Sequence, residues 1–121
     1  MGKFKSFEEI NSWQKARIFN KRVYQITESD VFKKDYDLVR QIRRATISIS
    51  SNIAEGFERN TDKEFIYFLY VAKASSGEVR SQLYLALDLN YITEEEFKEL
   101  FITVSDISKL ISGFIKYLNK S

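Results

Sequence analysis

The 121-residue sequence contains no histidine, cysteine or proline, and only four glycines. Without histidine it lacks the commonest general base, the usual zinc ligand and the Glu-x-x-His pairs that hold iron in helical bundles. Hydrolases built on Ser-His-Asp or Cys-His are thereby excluded. Without cysteine there is no disulfide scaffold and no thiolate metal site. The lack of proline and the scarcity of glycine favour long uninterrupted helices over a turn-rich β protein. Long hydrophobic runs are missing too: the longest strictly apolar stretch is residues 65–72, far short of the ~20 residues that span a bilayer. The first ten residues carry no apolar signal core, so a cytoplasmic protein without membrane contact is expected.

What is present suits one helical domain over residues 1–121. Hydrophobic residues make up 44% and charged residues 30% of the chain, and a chain of this size buries about two thirds of its surface. Net charge is only +2, but residues 1–60 hold 12 basic and 8 acidic side chains, against 7 and 9 in residues 61–121. One side of the molecule is therefore expected to be basic.

Period and capping signals predict four helices. The first starts near Ser12, with Trp13, Ala16, Phe19, Val23 and Ile26 as its apolar line. The second runs from about Asp37 to Phe57 on Leu38, Ile42, Ala45, Ile49 and Ile53. Thr61 and Glu64 form a capping box for a third, which continues through Phe65, Leu69, Ala72, Val79, Leu83 and Ala86 to about Leu89, with Asn90 as a left-handed terminator. Thr93 and Glu96 repeat the box before a fourth helix, lined by Phe97, Leu100, Val104, Ile107, Leu110 or Ile111, Phe114 and Leu118. Joined by short loops, these make an all-α, antiparallel up-down-up-down four-helix bundle.

Three features exceed what a plain bundle needs. Residues 65–71 are apolar or aromatic around the whole helix, which one core face cannot absorb. Self-association through Tyr67, Phe68, Tyr70 and Val71 is expected. The run from Ser48 to Gly56 is poor in helix propensity yet sits mid-helix. Ser48, Ser51 or Asn52, and Glu55 share a face there, matching a polar stretch containing Ser75, Glu78 and Gln82 on the third helix. An inter-helix hydrogen-bond network is expected; the alternative, a cation pocket at Glu55 and Glu78, has a poor donor set. Neither metal nor cofactor is anticipated. Finally, Lys15, Arg17, Lys21, Arg22, Arg40, Arg43 and Arg44 place seven cations on two consecutive helices, a pattern suited to phosphates. Reversing Arg43 and Arg44 to Glu is expected to abolish nucleic-acid binding and leave the fold intact. The carboxylates of residues 94–99 superficially suit a Mg²⁺-dependent pyrophosphohydrolase, but the capping box accounts for them and no second cluster completes a two-metal site. No enzymatic activity is expected.

Trp13-Gln14-Lys15-Ala16, Gln41-Ile42-Arg43-Arg44-Ala45, Ser51-Asn52-Ile53-Ala54-Glu55-Gly56-Phe57 and Leu87-Asp88-Leu89-Asn90-Tyr91-Ile92 together resemble the bacterial four-helix bundle proteins called 23S rRNA intervening-sequence proteins, sometimes labelled ribosomal protein. The chain departs from that pattern at Ser50, where proline is frequent, and at Glu58 and Asn90, where glycine is. The resemblance implies a bundle assembled as a homopentamer. It also extends to the accessory variability proteins of diversity-generating retroelements, which bind nucleic acid and a reverse transcriptase. By that analogy the partners are further copies of the chain, RNA or DNA, and a protein such as a reverse transcriptase; the alternative function is a protein-interaction scaffold that does not touch nucleic acid.

Overall fold

The computed structural model describes residues 4–120. Four α-helices follow one another: α1 (Asn11–Thr27), α2 (Tyr36–Phe57), α3 (Asp62–Asp88) and α4 (Glu94–Lys120). Single 3-10 turns at Phe7–Glu9 and Phe32–Lys34 precede α1 and α2, and no strand occurs among the described residues. Each helix packs on the next, and α1 closes the ring against α4. This is the antiparallel four-helix bundle that the sequence predicts.

The helix ends are fixed by side chains. Asp35 caps α2 by accepting from the Leu38 amide at 3.1 Å, and its second oxygen accepts from the Tyr91 hydroxyl at 2.9 Å. That pair ties the α1–α2 loop to the α3–α4 loop, and the hydrogen bond to Asp35 raises the Tyr91 pKa. At Thr93 the capping box is reciprocal, with the Thr93 amide donating to Glu96 at 2.9 Å and the Glu96 amide to Thr93 Oγ1 at 3.0 Å. At Thr61 only the forward bond to the Glu64 amide forms; the Thr61 hydroxyl itself donates to the Glu64 carboxylate. Asn90 has φ 61°, and the amides of Asn90 and Tyr91 reach back to the carbonyls of Leu87 and Ala86. These are the paired bonds of a Schellman terminus, as expected from an asparagine there.

The core follows the predicted stripes of α2 and α3 residue for residue. Elsewhere it is wider. Ile10, Phe32 and Ile92 are buried although periodicity did not single them out, because turns and loops seal the ends of the bundle, and within α4 it is Ile115 that is buried while Phe114 is half-buried. Trp13 is only half-buried and packs edge-on against Phe7, and Phe114 rests between Phe4 and Phe65. In α4 it is Ile111, not Leu110, that is fully enclosed. No helix is long and apolar enough among the described residues to cross a membrane.

Helices α2 and α3 make the most extensive contact in the bundle. A Cβ added at Gly56 would come within 2.8 Å of both Phe65 Cδ1 and Phe68 Cβ, so only glycine permits this approach. Gly77 and Gly113 have open space where a Cβ would stand. Gly56→Ala should therefore lower stability by about 1–2 kcal/mol, overpacking outweighing the gain in helix propensity. Gly77→Ala should raise it by about 0.5–1 kcal/mol, with urea denaturation followed by circular dichroism as the measurement.

Candidate nucleic-acid interface

The seven basic residues singled out on α1 and α2 do not form one uniform face. Arg22 points to α4, where its guanidinium holds Glu99 through bonds of 2.6 and 2.9 Å. Arg43 points to α1. Its Nε donates to Thr27 Oγ1 at 2.9 Å, its terminal nitrogen lies 3.0 Å from Glu28, and its Cζ sits over the Tyr24 ring, 4.2 Å from the centroid. Arg44 points to α3 and meets Glu78 at 2.8 Å. Arg40 makes only a long, exposed contact with Asp37 on its own helix. Arg17 lies over the Trp13 ring, and Lys15 and Lys21 are exposed without an ion pair among the described residues.

Arg40, Arg43 and Arg44 nevertheless converge. With Tyr24, Ile47 and Ser48 they line one open depression between α1 and α2, and no carboxylate is among its lining residues. A guanidinium has five N–H donors, so one engaged with a carboxylate keeps others for a phosphate. Arg43 has a second duty as a tie between helices, and its reversal to Glu would alter packing as well as charge.

The residues expected to mediate self-association lie along α3. Tyr67 and Tyr70 are 63% and 54% exposed, while Phe68 and Val71 are half-buried. Phe68 is partly covered by Tyr67 and by Arg59, whose guanidinium sits 4.7 Å from its ring. Further along the same helix Leu85 is also exposed, so α3 presents apolar surface to solvent at both ends.

Residues 8–113 match the family model described as 23S rRNA-intervening sequence protein. The chain belongs to that family. Its fold is similar to the crystal structure of a protein with unknown function from the S23 ribosomal protein family of Bacteroides thetaiotaomicron VPI-5482, with a TM-score of 0.80 and 27% identity over 87% of this chain and 98% of that one. No curated protein matches it.

The low-propensity segment that marks this intervening-sequence family member has a structural explanation. Ser75 donates to Ser48 Oγ at 2.9 Å across the α2–α3 gap, and the Asn52 amide donates to the Ser48 hydroxyl and carbonyl at 2.8 and 2.7 Å. Glu78 accepts from both Arg44 and Gln82, extending the polar seam by a turn. Glu55 stands outside it, 2.7 Å from Arg59 just beyond the end of its own helix, so Glu55 and Glu78 each end on a different arginine. Among the described residues no group of three or more potential metal ligands gathers. Ser50 lies 3.0 Å from the Asn20 amide of α1, and α2 runs through this position unbroken. The orientation that satisfies every partner has Asn20 accepting from Ser50 and donating to the carbonyls of Ala16 and Thr46.

The two arginines of the Arg43-Arg44 pair should differ sharply on truncation. Arg43→Ala should cost about 1–2 kcal/mol in chemical denaturation because it breaks a sheltered hydrogen bond and a cation–π contact. Arg44→Ala removes an exposed pair and should cost no more than about 0.5–1 kcal/mol. The hydrogen bond from Arg22 lowers the pKa of Glu99 below its ordinary 4.5. Its contribution to stability is complete above that value and is lost as pH falls through the depressed one. Glu99→Gln should accordingly flatten the loss of stability in that acid range, measured by denaturation at successive pH values.

Proposed function

We propose that this intervening-sequence family protein is a non-enzymatic, self-associating bundle that binds nucleic acid through its phosphates. The observation that carries the reading is the α1–α2 depression, where Arg40, Arg43 and Arg44, each also meeting a carboxylate outside the lining, converge on one concave surface beside the Tyr24 ring. Such a surface offers charge and stacking but no array of groups for distinguishing bases, so binding follows the backbone and not the sequence. Self-association through Tyr67 and Tyr70 would bury aromatic surface left open by a single copy and repeat the basic depression around the assembly.

Anisotropy titration into labelled structured RNA and duplex DNA across a salt series tests the first half. Arg40→Glu with Arg44→Glu, which spares the Arg43 tie, should weaken binding about tenfold or more and reduce its salt dependence. Unchanged affinity would refute the assignment. Light scattering after size exclusion tests the second half: Tyr67→Glu with Tyr70→Glu should reduce the mass to that of one chain. A wild-type protein that is already monomeric at micromolar concentration would dismiss self-association. Retention of a protein partner at high salt without any nucleic-acid binding would favour a scaffold role instead.

A further inference from the structure

A second cationic site lies on the opposite side of the ring of helices, in a groove of about 640 Å³ between α3 and α4. Lys73 and Arg80 of α3 face Lys109 and Lys116 of α4 across it, and no carboxylate lines it. Asp106 is adjacent in sequence to Ser105 at the edge but is not a lining residue. None of the four cations forms an ion pair among the described residues, whereas Arg22, Arg40, Arg43 and Arg44 each have a carboxylate partner. Four of the seven basic residues in an otherwise acidic half of the chain are thus collected, uncompensated, in one place.

The floor of the groove is built from small side chains. Ser105, Ser108 and Ser112 line it, and none of their hydroxyls makes a hydrogen bond among the described residues. A serine within a helix can turn its hydroxyl back onto the preceding turn or leave it free for another partner. Ser108 is only 7% exposed and lines the groove with a hydroxyl that has no partner among the described residues. Gly113 supplies no side chain where a larger one would fill the space.

We infer that the α3–α4 groove is a phosphate-binding site that takes a single nucleic-acid strand by its backbone. Lysine and arginine on the rim with serine hydroxyls beneath are the donor types that contact phosphate oxygens. Each helix carries its two cations seven residues apart, about 10.5 Å along the axis. That spacing extends the positive charge lengthwise and suits a polymer of regularly placed charges better than one compact anion. The ligand class rests on the nucleic-acid reading above; the location does not.

The experiment uses the full-length protein, a fluorescein-labelled 20-nucleotide poly(U) RNA followed by anisotropy across a salt series, and inorganic tripolyphosphate followed by calorimetry. Lys73→Gln with Lys109→Gln should weaken RNA binding about tenfold and reduce the slope of log affinity against log salt by about 1.4. Gly113→Leu should weaken it comparably with the net charge unchanged, because the new side chain occupies the groove and the space around its Cβ is open. Helicity and melting temperature by circular dichroism establish that both variants are folded. Loss in the Arg40→Glu, Arg44→Glu protein with full RNA affinity in both groove variants would overturn the groove while leaving the proposed function standing. Tripolyphosphate binding that the groove variants abolish, in a protein that binds no RNA, would overturn both the nucleic-acid reading and the strand as ligand. Binding of neither probe would overturn the groove as a phosphate site altogether.

Discussion

The contact on which the bundle's arrangement depends is the approach of the α2 backbone to Phe65 and Phe68 at Gly56. No side chain separates the helices there, and the nearest atoms of α3 stand where a Cβ would have to be. The loop to α3 follows almost at once, so this contact sets the rotation of α3 about its own axis. Phe65 is turned into the core against Phe57 and Phe114, and the same rotation carries Tyr67 and Tyr70 to solvent. Farther along, it lets Ser75 reach Ser48 and Glu78 reach Arg44. On the other flank it places Lys73 and Arg80 opposite α4.

The cations of this protein divide into two kinds. Arg22, Arg43 and Arg44 lie between neighbouring helices and connect α1 to α4, α1 to α2 and α2 to α3. Arginine suits that work because its planar fork holds several acceptors at once and remains charged. Phosphate must share such a group with its carboxylate or compete for it. The lysines of the α3–α4 groove have no such competitor, and their strongly hydrated heads on flexible stems can follow an irregular backbone.

Much of the fold is legible in the sequence because its signals are local and periodic. The stripes of α2 and α3, the caps at Thr61 and Thr93 and the terminator at Asn90 each depend on residues within a few positions of one another. The buried Phe32 and Ile92 are not legible in this way, since they lie in connections where no period operates. The polar seam was readable as a spacing of small residues, but spacing alone could not separate Asn52, which joins it, from Glu55, which turns to Arg59. The α3–α4 groove was the hardest feature to see. Counting charges by halves of the chain assigns its region to the acidic side, because Glu94, Glu95 and Glu96 at the start of α4 conceal the cations farther along. The available signal was a pair of basic residues seven apart on each of two helices, with a Ser-Gly pair between them on each.

Two cationic surfaces on opposite sides of one small bundle constrain how copies can meet. Faces of like charge repel, so neither the α1–α2 depression nor the α3–α4 groove is a favourable surface to press against its own kind. The apolar exterior of α3 bears Tyr67 and Tyr70, neither of which lines the groove. Association through that exterior buries aromatic area and leaves the adjacent groove open, whereas association through the groove would have to bring uncompensated lysines out of water. Under the proposed function, that energetic preference separates the two roles in space, with the solvent face of α3 for another copy and the two concave surfaces for an anion.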